Sequence, residues 1–175
     1  MSDIQPASSE SQVVPRESAV ERVVAAIEAQ IISGELRDGE SLPAERSIVE
    51  AGLARQAATR ADKADIARLR QALEANHTSI DDSLAFYETD TAFHGVLYSI
   101  PGNPIFPAIH NAFSDWLDLR WRQMPRLPER NQQNYEAHAR ILEAILDRDP
   151  DRAEAALRDH LESAWKQVRD TFDDL

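Results

Sequence analysis

Four residues of this chain have the types and spacings of a metal site. Asp90 and His94 stand four positions apart, so on a helix their side chains share one face. His138 and His160 stand at equal distances before and after Asp149, where a turn between two helices is predicted. In an antiparallel helical hairpin this places both at the same height, roughly 16 Å from the turn. The spacing therefore allows one carboxylate and three imidazoles to meet.

An aspartate with three histidines suits a borderline divalent metal ion, with zinc or nickel favoured and cobalt or manganese as alternatives. Four protein ligands still leave one or two positions open in a five- or six-coordinate site. A buried polar cluster without a metal is the competing interpretation of the same residues. The other histidines, His77 and His110, have no partner at a useful spacing, and we expect them to be structural or exposed.

Helices are the elements that must position these residues. Alanine, leucine, glutamate and arginine are plentiful, whereas only 5 of the 175 residues are glycine, which favours helix over sheet. Apolar residues recur at steps of three and four, and on the second helix they put Ile48, Val49, Leu53 and Ala57 on one face. We expect an all-α, antiparallel bundle of six or seven helices. The predicted helices cover about 18–33, 44–60, 63–75, 81–100, 104–123, 132–147 and 150–171.

Corner signals separate these helices. Asp62 is a predicted N-cap, and Asp149 followed by Pro150 has the pattern of a cap and a first helical residue. The tetrapeptide Pro-Gly-Asn-Pro at 101–104 ends one helix and starts the next. The signal at Asp149 and Pro150 fixes the turn from which the heights of His138 and His160 are counted.

The composition also excludes several kinds of site and partner. The chain has no cysteine, which excludes disulfides and thiolate metal ligands. No apolar run approaches the ~20 residues of a membrane span and no signal peptide opens the chain, so we expect a soluble cytoplasmic protein without membrane contact. The formal net charge of −12 argues against a protein that coats nucleic acid non-specifically.

Three segments resemble the FCD (FadR C-terminal domain) branch of the GntR-family transcriptional regulators. Residues 90–106, DTAFHGVLYSIPGNPIF, resemble that family's Asp-x-x-Phe-His helix and its Gly-Asn-Pro corner. Residues 135–164 resemble its histidine-containing hairpin, and residues 48–69 resemble its first effector-domain helices. By this resemblance the family's metal-ligand positions fall on Asp90, His94, His138 and His160.

The N-terminus resembles the same family's winged helix-turn-helix, but only in part. Residues 22–46 match its first helix and following turn, and neither a recognition helix nor a wing follows them. We therefore divide the chain into a disordered arm (1–16), a partial winged helix-turn-helix (17–46) and an FCD domain (47–172). Recognition helices and wings contact bases and phosphates, so we expect operator DNA binding only if the missing part is supplied.

Effectors of the family are usually small carboxylates, and three polar residues are candidates for holding one. Arg120 continues the apolar stripe of its helix, although its long side chain could reach the surface instead. Asn134 lies one turn before His138, with a cap at the loop as the alternative role. Arg46 shares a face with Val49 at the domain junction.

The sequence thus predicts a ligand-responsive transcriptional regulator and not an enzyme. It would sense a small carboxylate through its metal, and the resemblance implies a homodimer. One alternative is a metal-dependent hydrolase-like enzyme that activates water at an open metal position, but Glu136, the nearest candidate base, is turned away from His138. A second alternative is a stand-alone effector module that pairs with a full-length regulator.

Overall fold

A computed structural model describes residues 42–125 and 127–172, with side chains throughout except at 42–44, 119, 120, 122, 123 and 172. No strand occurs in these ranges, so the all-α prediction is confirmed for them. The predicted arm, and the helix predicted at about 18–33, lie outside the described residues. The helices are α1 (Leu42–Arg60), α2 (Lys63–Thr78), α3 (Ser83–Ser99), α4 (Ile105–Gln123), α5 (Pro128–Leu146) and α6 (Pro150–Phe172).

Side-chain caps begin two of these helices at the predicted places. Asp62 accepts from the Asp65 amide at 2.8 Å, and Asp65 accepts in return from the Asp62 amide at 3.0 Å, which makes a capping box at α2. Asp149 accepts from the Arg152 amide at 3.0 Å, and Pro150 is the first residue of α6. The turn that sets the register of the α5–α6 hairpin is therefore the predicted one.

Helix α5 begins earlier than the predicted start near residue 132. Leu127 is its N-cap and Pro128 occupies the first helical position, where a proline loses no intrahelical hydrogen bond. The polar run that follows has no apolar periodicity, which is why the sequence did not indicate a helix there. The extra turn makes Arg130 and Asn131 helical, and both are buried.

An apolar core forms chiefly where α1, α3, α5 and α6 meet. Helix α1 packs along α6, and its small alanine side chains permit a close approach. Burying a leucine such as Leu157 stabilises the fold by about 1.5–3 kcal/mol. Among the described helices none is both long and apolar enough to span a bilayer. The apolar core consists of Ala54, Ala57, Ala58, Ala61, Leu69, Phe93, Leu97, Ile141, Leu142, Ala144, Ile145, Ala153, Leu157 and Leu161.

The rotation of α1 differs from the prediction at its N-terminal half. Ile48, expected on the apolar face, is 64% exposed, whereas Glu50 is 0% exposed. Val49 and Leu53 do face inward, against the smaller apolar cluster that includes Tyr98. A charged side chain therefore occupies an interior position of α1, which places polar chemistry beside the apolar core.

Helix α4 lies against α3 at a close approach. A Cβ added to Gly95 would come within 3.0 Å of the His110 ring, so this glycine gives the ring its space. The His110 ring also stacks on Tyr98, with 4.9 Å between the ring centroids. The contact holds the aromatic side chains of α4 next to the polar interior of the bundle.

Candidate metal centre

Three helices bring together the four residues with metal-ligand spacing. Asp90 and His94 lie one turn apart on α3, while α5 contributes His138 and α6 contributes His160. All four side chains are buried, and each offers one ligand atom, with these atoms within 4.8 Å of one another. We call these four residues the Asp/His cluster.

The distances inside the Asp/His cluster suit a shared ion. His160 Nε2 lies 3.2 Å from His94 Nε2 and 3.2 Å from His138 Nε2. Asp90 Oδ1 lies 3.5 Å from His138 Nε2. Two nitrogens that bind one zinc ion at about 2.0–2.1 Å stand roughly 3 Å apart, which is close to the observed separations.

The outer ring nitrogens determine which tautomers are present. His138 Nδ1 lies 3.1 Å from Asn76 Oδ1, while Asn76 Nδ2 donates to Thr89 Oγ1 at 3.1 Å. Because an amide oxygen only accepts, the proton of His138 is on Nδ1 and its Nε2 presents a lone pair. His94 Nδ1 lies 2.6 Å from a carboxylate oxygen of Glu50, which assigns the same tautomer to His94.

Two lone pairs therefore meet His160 Nε2, and no arrangement of neutral rings satisfies all three nitrogens. A hydrogen on His160 Nε2 can be directed at only one of the other two rings. His160 Nδ1 is itself buried and has no hydrogen-bond partner in the described part of the chain. A cation between the rings would accept all three lone pairs, so these residues fit a divalent metal ion.

Burial also sets the protonation of the Asp/His cluster. Burial lowers the pKa of His138 and His160 well below its ordinary value, and the neighbouring imidazoles lower it further. Burial raises the pKa of Asp90, against the opposing effects of His94 and Arg46. Neutral imidazole is the form that binds metals, so His138 and His160 are ready to coordinate at neutral pH.

Glu50 links the Asp/His cluster to α1. Arg46 Nε donates to Glu50 Oε1 at 2.6 Å, and the Tyr98 hydroxyl donates to the same oxygen at 3.2 Å. Burial alone would raise the pKa of Glu50, but Arg46 and His94 outweigh it and hold the pKa well below its usual range. An ionised carboxylate on the outer nitrogen orients His94 and makes it a more basic ligand.

The three predicted effector-binding residues have different surroundings. Arg46 is joined to the Asp/His cluster through Glu50. Asn134 is buried inside α5 and not at a helix cap, and its Nδ2 has no hydrogen-bond partner among the described residues. Arg120 belongs to α4, but its side chain lies outside the described part.

Sequence reasoning missed three buried polar residues beside the Asp/His cluster, namely Glu50, Asn76 and Arg130. The only sequence signal for Glu50 is its spacing of four from Arg46, which is common on exposed helix faces. Asn76 and Arg130 had no such signal. Glu50 meets His94 and Asn76 meets His138, and both contacts join helices that are far apart in the sequence.

The remaining two histidines lie outside the Asp/His cluster. His77 is exposed and stacks on Tyr135, with 4.7 Å between the ring centroids. His110 is half-buried between Gly95 and Tyr98. Neither ring contributes to the group of ligand atoms, in agreement with their spacing in the sequence.

A cavity of about 40 Å³ lies between α1, α4 and α6. This volume suffices for a few ordered water molecules. Arg46 lines the cavity and also binds Glu50, so the cavity and the Asp/His cluster share this arginine. The other lining residues are mostly aromatic or aliphatic: Phe113, Trp116, Leu117, Trp121, Leu161, Ala164, Trp165 and Val168.

The sequence of this helical bundle is similar to a known protein family and to several known repressors. The family model described as the FCD domain matches residues 44–163. The HTH-type transcriptional repressor NanR of Salmonella newport is 47% identical over 120 residues, which are 67% of this chain and 46% of that repressor. The repressors of the same name from Salmonella arizonae and Salmonella typhimurium have the same identity and coverage. The chain thus spans about half the length of the curated relatives it matches.

The match extends over more than half of the chain and includes every residue of the Asp/His cluster. The resemblance found in the sequence and the family match therefore agree on the same helices. The chain belongs to the FCD-domain family of GntR-type regulators.

Proposed function

We propose that this chain is a ligand-responsive transcriptional regulator that senses a small carboxylate through a bound metal ion. The observation that carries the proposal is the convergence of four buried ligand atoms from three helices. The names of the relatives support a role in transcription, because each is a transcriptional repressor.

The Asp/His cluster would hold the metal. Its nitrogen and oxygen donors suit zinc or nickel, with cobalt or manganese as the alternatives. When bound, the ion supplies positive charge and open coordination positions, which attract a carboxylate oxygen. Asn134 and Arg46 are polar groups near the cluster that would bind the rest of the effector.

Arg46 offers a route from the effector to the N-terminal part of the chain. It lies near the start of α1, at the end of the segment that we assign to a partial winged helix-turn-helix (17–46). A carboxylate group that reaches the adjacent cavity would compete with Glu50 for the Arg46 guanidinium. That competition would shift the start of α1 and so report effector binding to the residues that precede the FCD domain (47–172).

A hydrolase-like enzyme has less support than a regulator. Glu136, the candidate base, is exposed and accepts a hydrogen bond from Gln132 at 2.8 Å on the outer face of α5. Hydrolysis needs a base within hydrogen-bond reach of the attacking water. Glu136 is not in a position to serve the Asp/His cluster in this way.

We also propose a cytoplasmic homodimer that acts on operator DNA when the remaining winged-helix part is present. Helices α1 to α6 would then form the sensing half of each protomer. Sedimentation at tens of micromolar protein tests the assembly. A chain that stays monomeric under these conditions would contradict the proposed dimer.

Elemental analysis and thermal unfolding of the purified chain test the sensing proposal. We expect one divalent ion per chain, and we expect succinate or citrate to raise the unfolding temperature of the metal-loaded protein but not of the chelator-treated protein. Transcript levels in cells with a full-length regulator that carries this FCD domain, either as the wild type or with His138→Ala, test the regulatory role. A chain that takes up no metal, or unchanged transcripts, would contradict the proposal.

A further inference from the structure

Asn76 is a buried polar residue of α2, a helix that packs against α3 and α5 but contributes no member of the Asp/His cluster. Leu69 and Asn76 are the buried residues of α2, and both are 0% exposed. Asparagine favours a helix interior less than leucine does, and a buried amide costs free energy unless it finds hydrogen-bond partners. Asn76 is therefore a costly core residue, and its partners indicate what it does.

The amide of Asn76 joins two other side chains. Asn76 Oδ1 lies 3.1 Å from His138 Nδ1, and Asn76 Nδ2 donates to Thr89 Oγ1 at 3.1 Å. The Thr89 hydroxyl in turn donates to the Phe86 carbonyl oxygen at 2.9 Å. Three hydrogen bonds thus run in series from α5, through α2, to the backbone of α3.

The chemistry of the groups fixes the direction of this series. A backbone carbonyl only accepts, so the hydroxyl hydrogen of Thr89 points at Phe86 and Thr89 Oγ1 is left as an acceptor. The group of Asn76 that faces Thr89 must then be the NH2 group, which leaves Oδ1 facing His138. Because this oxygen only accepts, the hydrogen of His138 is on Nδ1. The backbone of α3 thereby determines the tautomer of a histidine on α5.

Phe93 holds the plane of the His138 ring separately. The two rings stack with 4.4 Å between their centroids and 16° between their planes. A stack of this kind fixes the plane but still permits a half-turn of the ring, which exchanges its two edges. A partner for Nδ1 selects one edge, and Asn76 is that partner. In this orientation His138 Nε2 lies 3.2 Å from His160 Nε2 and 3.5 Å from Asp90 Oδ1.

We propose that Asn76 and Thr89 are positioning residues of the metal centre, which hold His138 in the tautomer and the ring orientation that a metal ion requires. The proposal rests on the proposed function, because it concerns how the Asp/His cluster presents its lone pairs to an ion. The outer nitrogen of His94 faces the carboxylate of Glu50, which supplies negative charge as well as direction. Asn76 is neutral, so it supplies direction alone.

The first measurement records the tautomer of His138 in the full chain after treatment with a chelator. Two-bond ¹H–¹⁵N correlation spectra of histidine-labelled protein distinguish a ring nitrogen that carries hydrogen from one that does not. At neutral pH we expect hydrogen on His138 Nδ1 in the wild type, and a mixture or the opposite tautomer in Asn76→Leu. A merely structural role of Asn76 would not change the tautomer. An unchanged tautomer in Asn76→Leu would overturn the proposal.

The second measurement is zinc affinity, by competition with a chelator. We expect Asn76→Leu to weaken zinc binding about 10-fold to 100-fold, which is typical for the loss of a residue that orients a ligand histidine. Gln71→Leu is the matched control, because it removes an exposed amide from the same helix. It should bind zinc like the wild type. Equal affinities in Asn76→Leu and Gln71→Leu would contradict a positioning role.

Variants of Thr89 test the other end of the series, and they cover the case in which Asn76→Leu does not fold. Valine lacks the hydroxyl, so the amide of Asn76 can turn over and present Nδ2 to His138. We expect Thr89→Val to weaken zinc binding about 3-fold to 10-fold, whereas Thr89→Ser keeps the hydroxyl and should bind like the wild type. If both variants lose the same affinity, or neither loses any, the hydroxyl does not set the direction and the proposal is overturned.

Thr59→Val is the matched control for Thr89→Val. Thr59 on α1 also donates to a carbonyl three positions earlier, that of Gln56, at 2.9 Å, but it is exposed. Its loss should leave the zinc affinity unchanged.

The tautomer and the zinc uptake separate this proposal from the proposed function. If the wild type takes up no zinc while Asn76→Leu changes the tautomer of His138, metal sensing fails and the control of His138 by Asn76 stands. If the wild type binds zinc and neither Asn76→Leu nor Thr89→Val changes the affinity, the positioning role is overturned and metal sensing stands.

Discussion

The apolar core and the Asp/His cluster occupy neighbouring levels of the same helices but are stabilised differently. Leu157 in the apolar core and His160 in the cluster are three residues apart on α6, roughly 5 Å along the axis. A buried leucine stabilises the fold simply because it leaves water. A buried histidine or aspartate costs free energy unless each of its polar atoms has a partner.

The comparison separates folding from ligand binding within one bundle. The side chains of the apolar core need no hydrogen-bond partners, whereas the Asp/His cluster and the adjoining face of α5 contain buried polar atoms that lack partners in the described chain. Changes in the apolar core should therefore weaken the fold with or without metal. Changes in the Asp/His cluster should weaken metal binding more than they weaken the fold.

The largest expected effect comes from a cavity in the apolar core. Leu157→Ala should lower the free energy of unfolding by about 2–5 kcal/mol, because the transfer of the side chain and the cavity both contribute. Urea unfolding of metal-free and metal-loaded protein should show a similar loss. Leu146→Ala, at a position that is 40% exposed, is the control and should change stability little. A loss confined to the metal-loaded protein would show that the apolar core does not stabilise the fold independently of the Asp/His cluster.

The second effect concerns His160, the residue that α6 contributes to the Asp/His cluster. His160→Ala should weaken zinc binding about 100-fold to 1,000-fold, if the binding free energy of about 10–16 kcal/mol is shared among four ligands. Competition with a chelator measures the affinity, and urea unfolding measures the metal-free fold. His77→Ala, an exposed histidine, should leave the zinc affinity unchanged. If both variants bind zinc equally, the Asp/His cluster is a polar cluster without a metal.

The third effect concerns Glu50, which contacts His94 of the Asp/His cluster but does not itself belong to the cluster. Glu50→Gln removes the negatively charged carboxylate that lies beside His94 Nδ1. We expect this change to weaken zinc binding about 10-fold to 100-fold. Because Arg46 then loses its charged partner, metal-free stability should also fall. Glu74→Gln, an exposed carboxylate on α2, serves as the control. Wild-type zinc affinity in Glu50→Gln would show that the Glu50–His94 contact does not tune the site.

The parts of the structure that the sequence predicted depend on local rules. The caps at Asp62 and Asp149 act within three residues of themselves, so a single sequence contains all the information they need. The meeting of His138 with His160 follows from the position of the turn and the rise of a helix. Asp90 and His94 share a face for the same kind of reason.

The parts that the sequence did not predict depend on contacts between distant segments. Hydrophobic periodicity put Ile48 inside, yet the interior at that level is polar and accommodates Glu50 instead. Glu50 meets His94 across 44 positions, and Asn76 meets His138 across 62. No spacing rule covers such pairs, because they arise only when the helices pack.

The smallest expected effect concerns His110, a half-buried ring outside the Asp/His cluster. Burial lowers the pKa of His110 from 6.5 to about 4, with His94 and Arg46 adding to the shift and Glu50 opposing it. The folded pKa lies below the unfolded value, so between pH 6.5 and 4 the unfolded chain binds a proton that the folded chain does not. The stability from this group is present above pH 6.5 and is lost as the pH falls toward 4.

His110→Gln should therefore make the free energy of unfolding fall less steeply as the pH decreases. The difference should be less than about 1 kcal/mol, because solvent screens a half-exposed ring. Urea unfolding of the chelator-treated chain from about pH 7 to about pH 4 measures this difference. Without metal, proton competition for the ligands does not enter, and the cluster histidines contribute equally to both proteins. If the wild type and His110→Gln lose stability in parallel, His110 accepts its proton in the folded chain. The acid sensitivity of the bundle would then originate in the Asp/His cluster and not in the α3–α4 contact.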